Sequence, residues 1–145
     1  MPVLHSATDA LEIIYHRDHH ILIGRFLRPL SEAENRQCYL DLLAAAQARG
    51  NCRYWLLDIR RRDRSGPEVL QWLLQNFYPR LVHELGQPMR LVYFLAPGLR
   101  EEFLSDGTVP APATYLSQDA FRMNQCITER EAVQWLLQEQ LAETA

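Results

Sequence analysis

Short apolar runs separated by polar turns organise the chain. "LEIIY" at 11–15 and "ILIGRF" at 21–26 are rich in branched and aromatic residues, with the polar "HRDHH" between them, which predicts two strands joined as a hairpin. The spacing then becomes helical. In "SEAENRQCYLDLLAAAQARG", Tyr39, Leu42, Leu43 and Ala46 fall on one face. Ser31 stands three residues before Glu34, the pattern of a capping box, and Gly50 can adopt the left-handed conformation that stops a helix. "YWLLDI" at 54–59 is a continuous apolar run between polar turns, suited to a strand buried on both faces.

The second half repeats the alternation. A helix starting near 65–67 and running through "EVLQWLLQNFYPRLVHELG" places Leu70, Leu73, Leu74, Phe77 and Leu81 along one side. Pro79 lies inside that pattern and has no N–H for the preceding turn, so a kink or short break is expected around 76–78. "MRLVYFLAPG" reads as another buried strand, "LREEFL" as at most two helical turns, and 105–119 as an irregular loop. "FRMNQCI" is a strand and "TEREAVQWLLQEQLA" a helix with Thr128 and Glu131 as its capping pair. The expected fold class is α/β: a single domain over 1–145 with its core at about 11–141. Its sheet is mixed and mainly parallel, with an N-terminal β-hairpin and helices covering it. Leu57, Ile59, Leu73, Leu91, Val92, Phe94 and Leu136 are expected in the core.

Composition narrows the functional classes. The 145 residues suffice for one independent core, and 48% hydrophobic with 23% charged residues is a globular balance. A net charge of −3 argues against a general nucleic-acid coat or a polybasic membrane binder. All fifteen basic residues are arginines, which removes lysine nucleophiles, Schiff bases and a phosphate-loop lysine. Cys38, Cys52 and Cys126 match no zinc or redox spacing and read as buried reduced thiols. No apolar run approaches a membrane span and no leader pattern opens the chain, so a cytoplasmic location without stable membrane insertion is expected.

The element order, together with "YWLLDIRRRDRSG", "MRLVYFLAP" and "CITEREAVQWL", resembles the STAS superfamily in its broad sense: SpoIIAA-like anti-sigma factor antagonists and the related lipid-carrier domains. The resemblance spans about 11–137. In antagonist-type members a loop of the form Asp-Ser-Ser-Gly follows the strand ending in Asp, and its second serine is a phosphorylation switch. Here Asp63, Arg64, Ser65 and Gly66 stand at a comparable place, so the resemblance implies Ser65 as the candidate phosphorylation site. Arg64 replaces the first serine, Arg60, Arg61 and Arg62 replace apolar residues, and Pro67 follows where those members usually have an aliphatic residue.

The same stretch is the main chemical candidate. Asp58, Arg60, Arg61, Arg62, Asp63, Arg64, Ser65 and Gly66 would lie between a buried strand end and a helix start, where free N–H groups and guanidinium groups can receive an anion. The alternative reading of the same atoms is structural. Ser65 caps the helix with Glu68, Asp58 and Asp63 balance some arginines, and the remainder is a solvated loop.

Other constellations carry less. His16, His19 and His20 are expected as polar turn residues, with no metal site, since a turn offers little support for fixed ligands. The triplet "HRD" at 16–18 spells a kinase motif by coincidence, because the chain has no lysine and no glycine-rich loop. His5 and His83 are isolated, and His83 sits late in a helix, where a cation is favoured. Glu101 and Glu102 are sequence neighbours that point to different sides of a helix. No nucleophile elbow, phosphate loop, dinucleotide fingerprint or zinc-protease motif occurs. Trp55, Trp72 and Trp135 are expected in or at the edge of the core, with Trp72 and Trp135 candidates for a partner or homodimer surface. The resulting expectation is a non-catalytic regulatory or binding module, needing no cofactor, that recognises a protein partner or a small anionic ligand and not nucleic acid. The alternative is a carrier of a small apolar, lipid-like ligand.

Overall fold

In the computed structural model, residues 2–61, 67–86, 88–98 and 119–144 are described. Among these residues six strands form one mixed sheet in chain order: β1 (Pro2–Ala7), β2 (Leu11–His16), β3 (Ile21–Phe26), β4 (Tyr54–Asp58), β5 (Met89–Phe94) and β6 (Phe121–Cys126). β2 runs antiparallel to both of its neighbours, β1 and β3, and β3 through β6 run parallel. This is the α/β arrangement expected, with one added element. β1, not anticipated from the sequence, pairs with β2 at the sheet edge, and a bulge between Leu4 and Ser6 shifts its register. A bulge resets which face a side chain meets, so β1 shows no clean period of two.

Among the described residues, the helices α1 (Glu32–Ala48), α2 (Pro67–Trp72), α3 (Tyr78–Leu85) and α4 (Glu129–Thr144) cover the sheet. α1 starts as a complete capping box. The Ser31 hydroxyl accepts from the Glu34 N–H at 3.2 Å, and the Ser31 N–H donates to Glu34 at 3.0 Å. The chain leaves α1 through Gly50 and Asn51 at φ of 69° and 55°, a left-handed pair that glycine and asparagine tolerate best.

Pro79 acts differently from a simple break. α2 passes into a π-helical turn, Leu73–Phe77, closed by the Tyr78 N–H on the Leu73 carbonyl, and α3 follows without a gap. The extra residue per turn precedes the proline, which cannot supply the next hydrogen bond. It places Phe77 in the core, stacked at 5.1 Å on half-buried Trp72.

Strand alternation divides the core into two layers. Leu11, Ile13, Leu22, Trp55, Leu57 and Leu91 pack with residues of α1, the π turn and α3 in one cluster. Ile21, Ile23, Tyr54, Leu56, Val92 and Phe94 face the other way and pack with Ala132 and Leu136 of α4. Every residue of β4 and β5 is buried, and all seven residues named above as core are buried. No helix among the described residues is long and apolar enough to cross a membrane.

Candidate functional site

Parallel register sets one polar row across the sheet. Arg25 of β3 pairs with Asp58 of β4, and Asp58 pairs with Phe94 of β5. These are the last or next-to-last residues of their strands, so the three side chains meet at the carboxyl end of the parallel strands. That is where open α/β sheets commonly receive ligands. A cleft of about 360 Å³ opens there, lined by Arg25, Phe26, Leu27, Asp58, Arg60, Arg61, Phe94 and Glu129.

Asp58 organises the cleft. Its side chain is only 7% exposed and accepts four hydrogen bonds. Two come from Arg60 Nε and Nη2 at 2.9 Å each, one from the Arg60 backbone N–H at 3.2 Å, and one from Arg25 Nη1 at 3.0 Å. Burial pushes the carboxyl pKa up, but the hydrogen bonds from Arg60 and Arg25 and the Arg60 charge outweigh it, and the pKa is lowered. The paired geometry with Arg60 is the fork that guanidinium and carboxylate form best. Arg60 also lies over the Phe94 ring, 4.1 Å from its centre, a cation–π contact that fixes the guanidinium plane.

Arg25 reaches a second carboxylate. Its Nη2 donates to Glu129, the first residue of α4, at 2.5 Å. The start of α4 is held in place by the Thr128 hydroxyl, which accepts the Glu131 N–H at 3.1 Å. Burial lowers the Arg25 pKa, but Glu129 and Asp58 outweigh it, and the guanidinium is held charged. Arg61 is exposed and has no ion-pair partner among the described residues. The described cleft thus holds three guanidinium groups against two carboxylates.

Of the residues singled out in the sequence, Asp58, Arg60 and Arg61 meet at this cleft. Arg62, Asp63, Arg64, Ser65 and Gly66 lie outside the described residues, as do Glu101 and Glu102. Sequence reasoning missed Arg25, Phe94 as a ring platform, and Glu129. Arg25 had a local signal, a charge near the end of the otherwise apolar "ILIGRF". Glu129 had none, because it depends on where α4 lands.

The histidines at the hairpin do not converge. His16 and His19 stack at 4.6 Å, whereas His20 Nδ1 meets the Tyr15 hydroxyl at 2.5 Å. Among the described residues no group of three or more His, Cys, Asp or Glu is placed to hold a metal ion. Cys38, Cys52 and Cys126 are buried and joined in no disulfide, and burial pushes the Cys52 pKa up to about 12. Trp55 is fully buried, and Trp72 and Trp135 are half-buried.

Comparison with protein-family models, with curated proteins and with solved structures finds no match.

Proposed function

We propose that the protein is a non-catalytic binding module, built on a STAS-like α/β plan, that recognises an oxyanion carried by a small ligand or by a protein partner. One observation carries the reading: guanidinium groups fixed by a buried aspartate line an open cleft at the carboxyl ends of β3, β4 and β5. Prearranged donors of this kind lower the ordering cost of binding. Arg62, Arg64 and Ser65 follow directly in the sequence, and phosphorylation of Ser65 would add about −1.5 to −2 charge to that stretch.

The test is a thermal-shift titration of the wild type and an Arg60→Ala/Arg61→Ala variant with inorganic phosphate and with succinate. A ligand-dependent rise in Tm, present in the wild type and absent in the variant, is the expected result. No response in the wild type overturns the reading, and so does steady turnover of a substrate that a cleft substitution abolishes. Ser65→Asp, compared with Ser65→Ala, tests the switch: altered anion or partner binding in the Asp variant alone marks a regulatory serine.

A further inference from the structure

The two carboxylates of the cleft are held in different ways. Asp58 is fixed on a central strand, nearly excluded from water, with four hydrogen bonds. Glu129 is 46% exposed, stands at the first residue of a helix, and among the described residues accepts a hydrogen bond only from Arg25. Moving Asp58 would strand a buried charge. Moving Glu129 returns a half-solvated carboxylate to water, and pairs of that kind contribute little.

From this difference, and resting on the anion-binding reading above, we infer that Glu129 is a tethered competitor. Its carboxylate occupies on Arg25 the position where a ligand carboxylate binds, and binding proceeds by displacing it. The ligand class follows from the occupant and the charge count. The seat already holds a carboxylate in contact with one guanidinium arm, and Phe26, Leu27 and Phe94 give apolar walls beside it. Among the described residues of the cleft, with Glu129 in place, Arg25, Arg60 and Arg61 face two carboxylates, a surplus of one positive charge. With Glu129 swung out they face Asp58 alone, a surplus of two. A ligand presenting two carboxylates, as a small dicarboxylate or as neighbouring acidic side chains of a peptide, matches that surplus. Exposed Arg61 is the second contact. The first turn of α4 thereby sets the affinity threshold of the cleft without itself being needed for recognition.

The experiment compares the wild type with Glu129→Gln, titrating each with succinate and with a tetraglutamate peptide while following amide and arginine side-chain chemical shifts. Tetraglutamine is the control. Gln keeps the size and removes the competing charge, and a half-exposed helix-start position tolerates it. The expected result is tighter binding by Glu129→Gln, roughly two- to five-fold, which is the worth of an exposed ion pair read as an affinity ratio. A succinate-only gain assigns the cleft to a free dicarboxylate, and a larger gain for tetraglutamate assigns it to an acidic peptide. Equal affinity in the two proteins, or weaker binding by the variant, overturns the competitor role and leaves the anion site standing. Absence of binding in both proteins overturns the site and the competitor together.

Discussion

The guanidinium carbon of Arg60 lies 4.1 Å from the centre of the Phe94 ring while its Nε and Nη2 each hold Asp58 at 2.9 Å. The aspartate, and not the arginine, is the centre of the arrangement, because Arg25 holds it from the other side. Asp58→Asn should therefore cost roughly 1.5–3 kcal/mol, the range for hydrogen bonds to charged groups, since it weakens the fork and the Arg25 bond together. Arg60→Ala should cost less, about 1 kcal/mol or below, because Arg25 still satisfies the carboxylate and Arg60 is 46% exposed. Urea unfolding of both variants checks the order. Equal losses would show that Asp58 is not the shared node.

The same carboxylate sets the acid limb of stability. Asp58 has a lowered pKa in the folded chain, and Glu34, hydrogen-bonded by Arg28 and by the Ser31 N–H, is lowered to about 2. A carboxyl group with a lowered folded pKa binds its proton more readily when unfolded. Its contribution is complete above the unfolded value, near 4, and is lost as pH falls through the folded one. Urea midpoints measured from pH 5 down to pH 2 should fall steadily, and more shallowly in Asp58→Asn. Identical slopes would remove Asp58 from the acid response.

How much of this was legible in the sequence varied with the range of the interaction. β2, β3, β4, β5 and β6 and the helices α1 and α4 were legible, the strands as short apolar runs between polar turns and the two helices from their spacing and capping pairs. The π turn was half legible. Pro79 announced an irregularity near 76–78, but a proline equally permits a break, a kink or a widened turn, and packing of Phe77 against Trp72 decides among them. β1 was hidden by its bulge. In the cleft, Asp58, Arg60 and Arg61 stood out because they are contiguous. Arg25 and Glu129 are 104 positions apart in the chain, and only the strand register and the landing of α4 bring them together.

Close packing of α1 on the sheet makes Gly24 a sensitive position. A Cβ there would lie 2.8 Å from Leu42 Cδ2 and 3.1 Å from Leu57 Cδ2, and both leucines are fully buried. Gly24→Ala should destabilise by about 1–3 kcal/mol through overpacking. Leu57→Ala, which empties the same contact, should cost about 2–5 kcal/mol. Combining the two should cost less than the sum, because the truncated leucine makes room for the added methyl. Additive losses in urea unfolding would contradict this contact.

At the opposite end of the sheet, His20 supplies a pH response near neutrality. Its Nδ1 lies 2.5 Å from the Tyr15 hydroxyl. Burial raises the Tyr15 pKa, so the phenol keeps its proton and the contact joins a neutral hydroxyl to the imidazole. Burial and the nearby Arg53 charge lower the His20 pKa below its ordinary 6.5. A histidine whose folded pKa is lowered takes up a proton more readily in the unfolded chain. It therefore lends its full stability above about pH 6.5, and that contribution declines as pH falls toward the folded pKa. His16 is lowered in the same direction, by burial and by the stacked His19, and adds to the same window. Stability measured from pH 8 to pH 5 should thus begin to fall near pH 6.5, well before the carboxylates respond. Tyr15→Phe removes the hydroxyl that anchors the neutral ring, and His20→Gln removes the titrating group altogether. His20→Gln should flatten part of the slope between pH 6.5 and pH 5 and leave the limb below pH 4 unchanged. A slope in that interval identical to the wild type would exclude His20 as a source of the neutral-pH response.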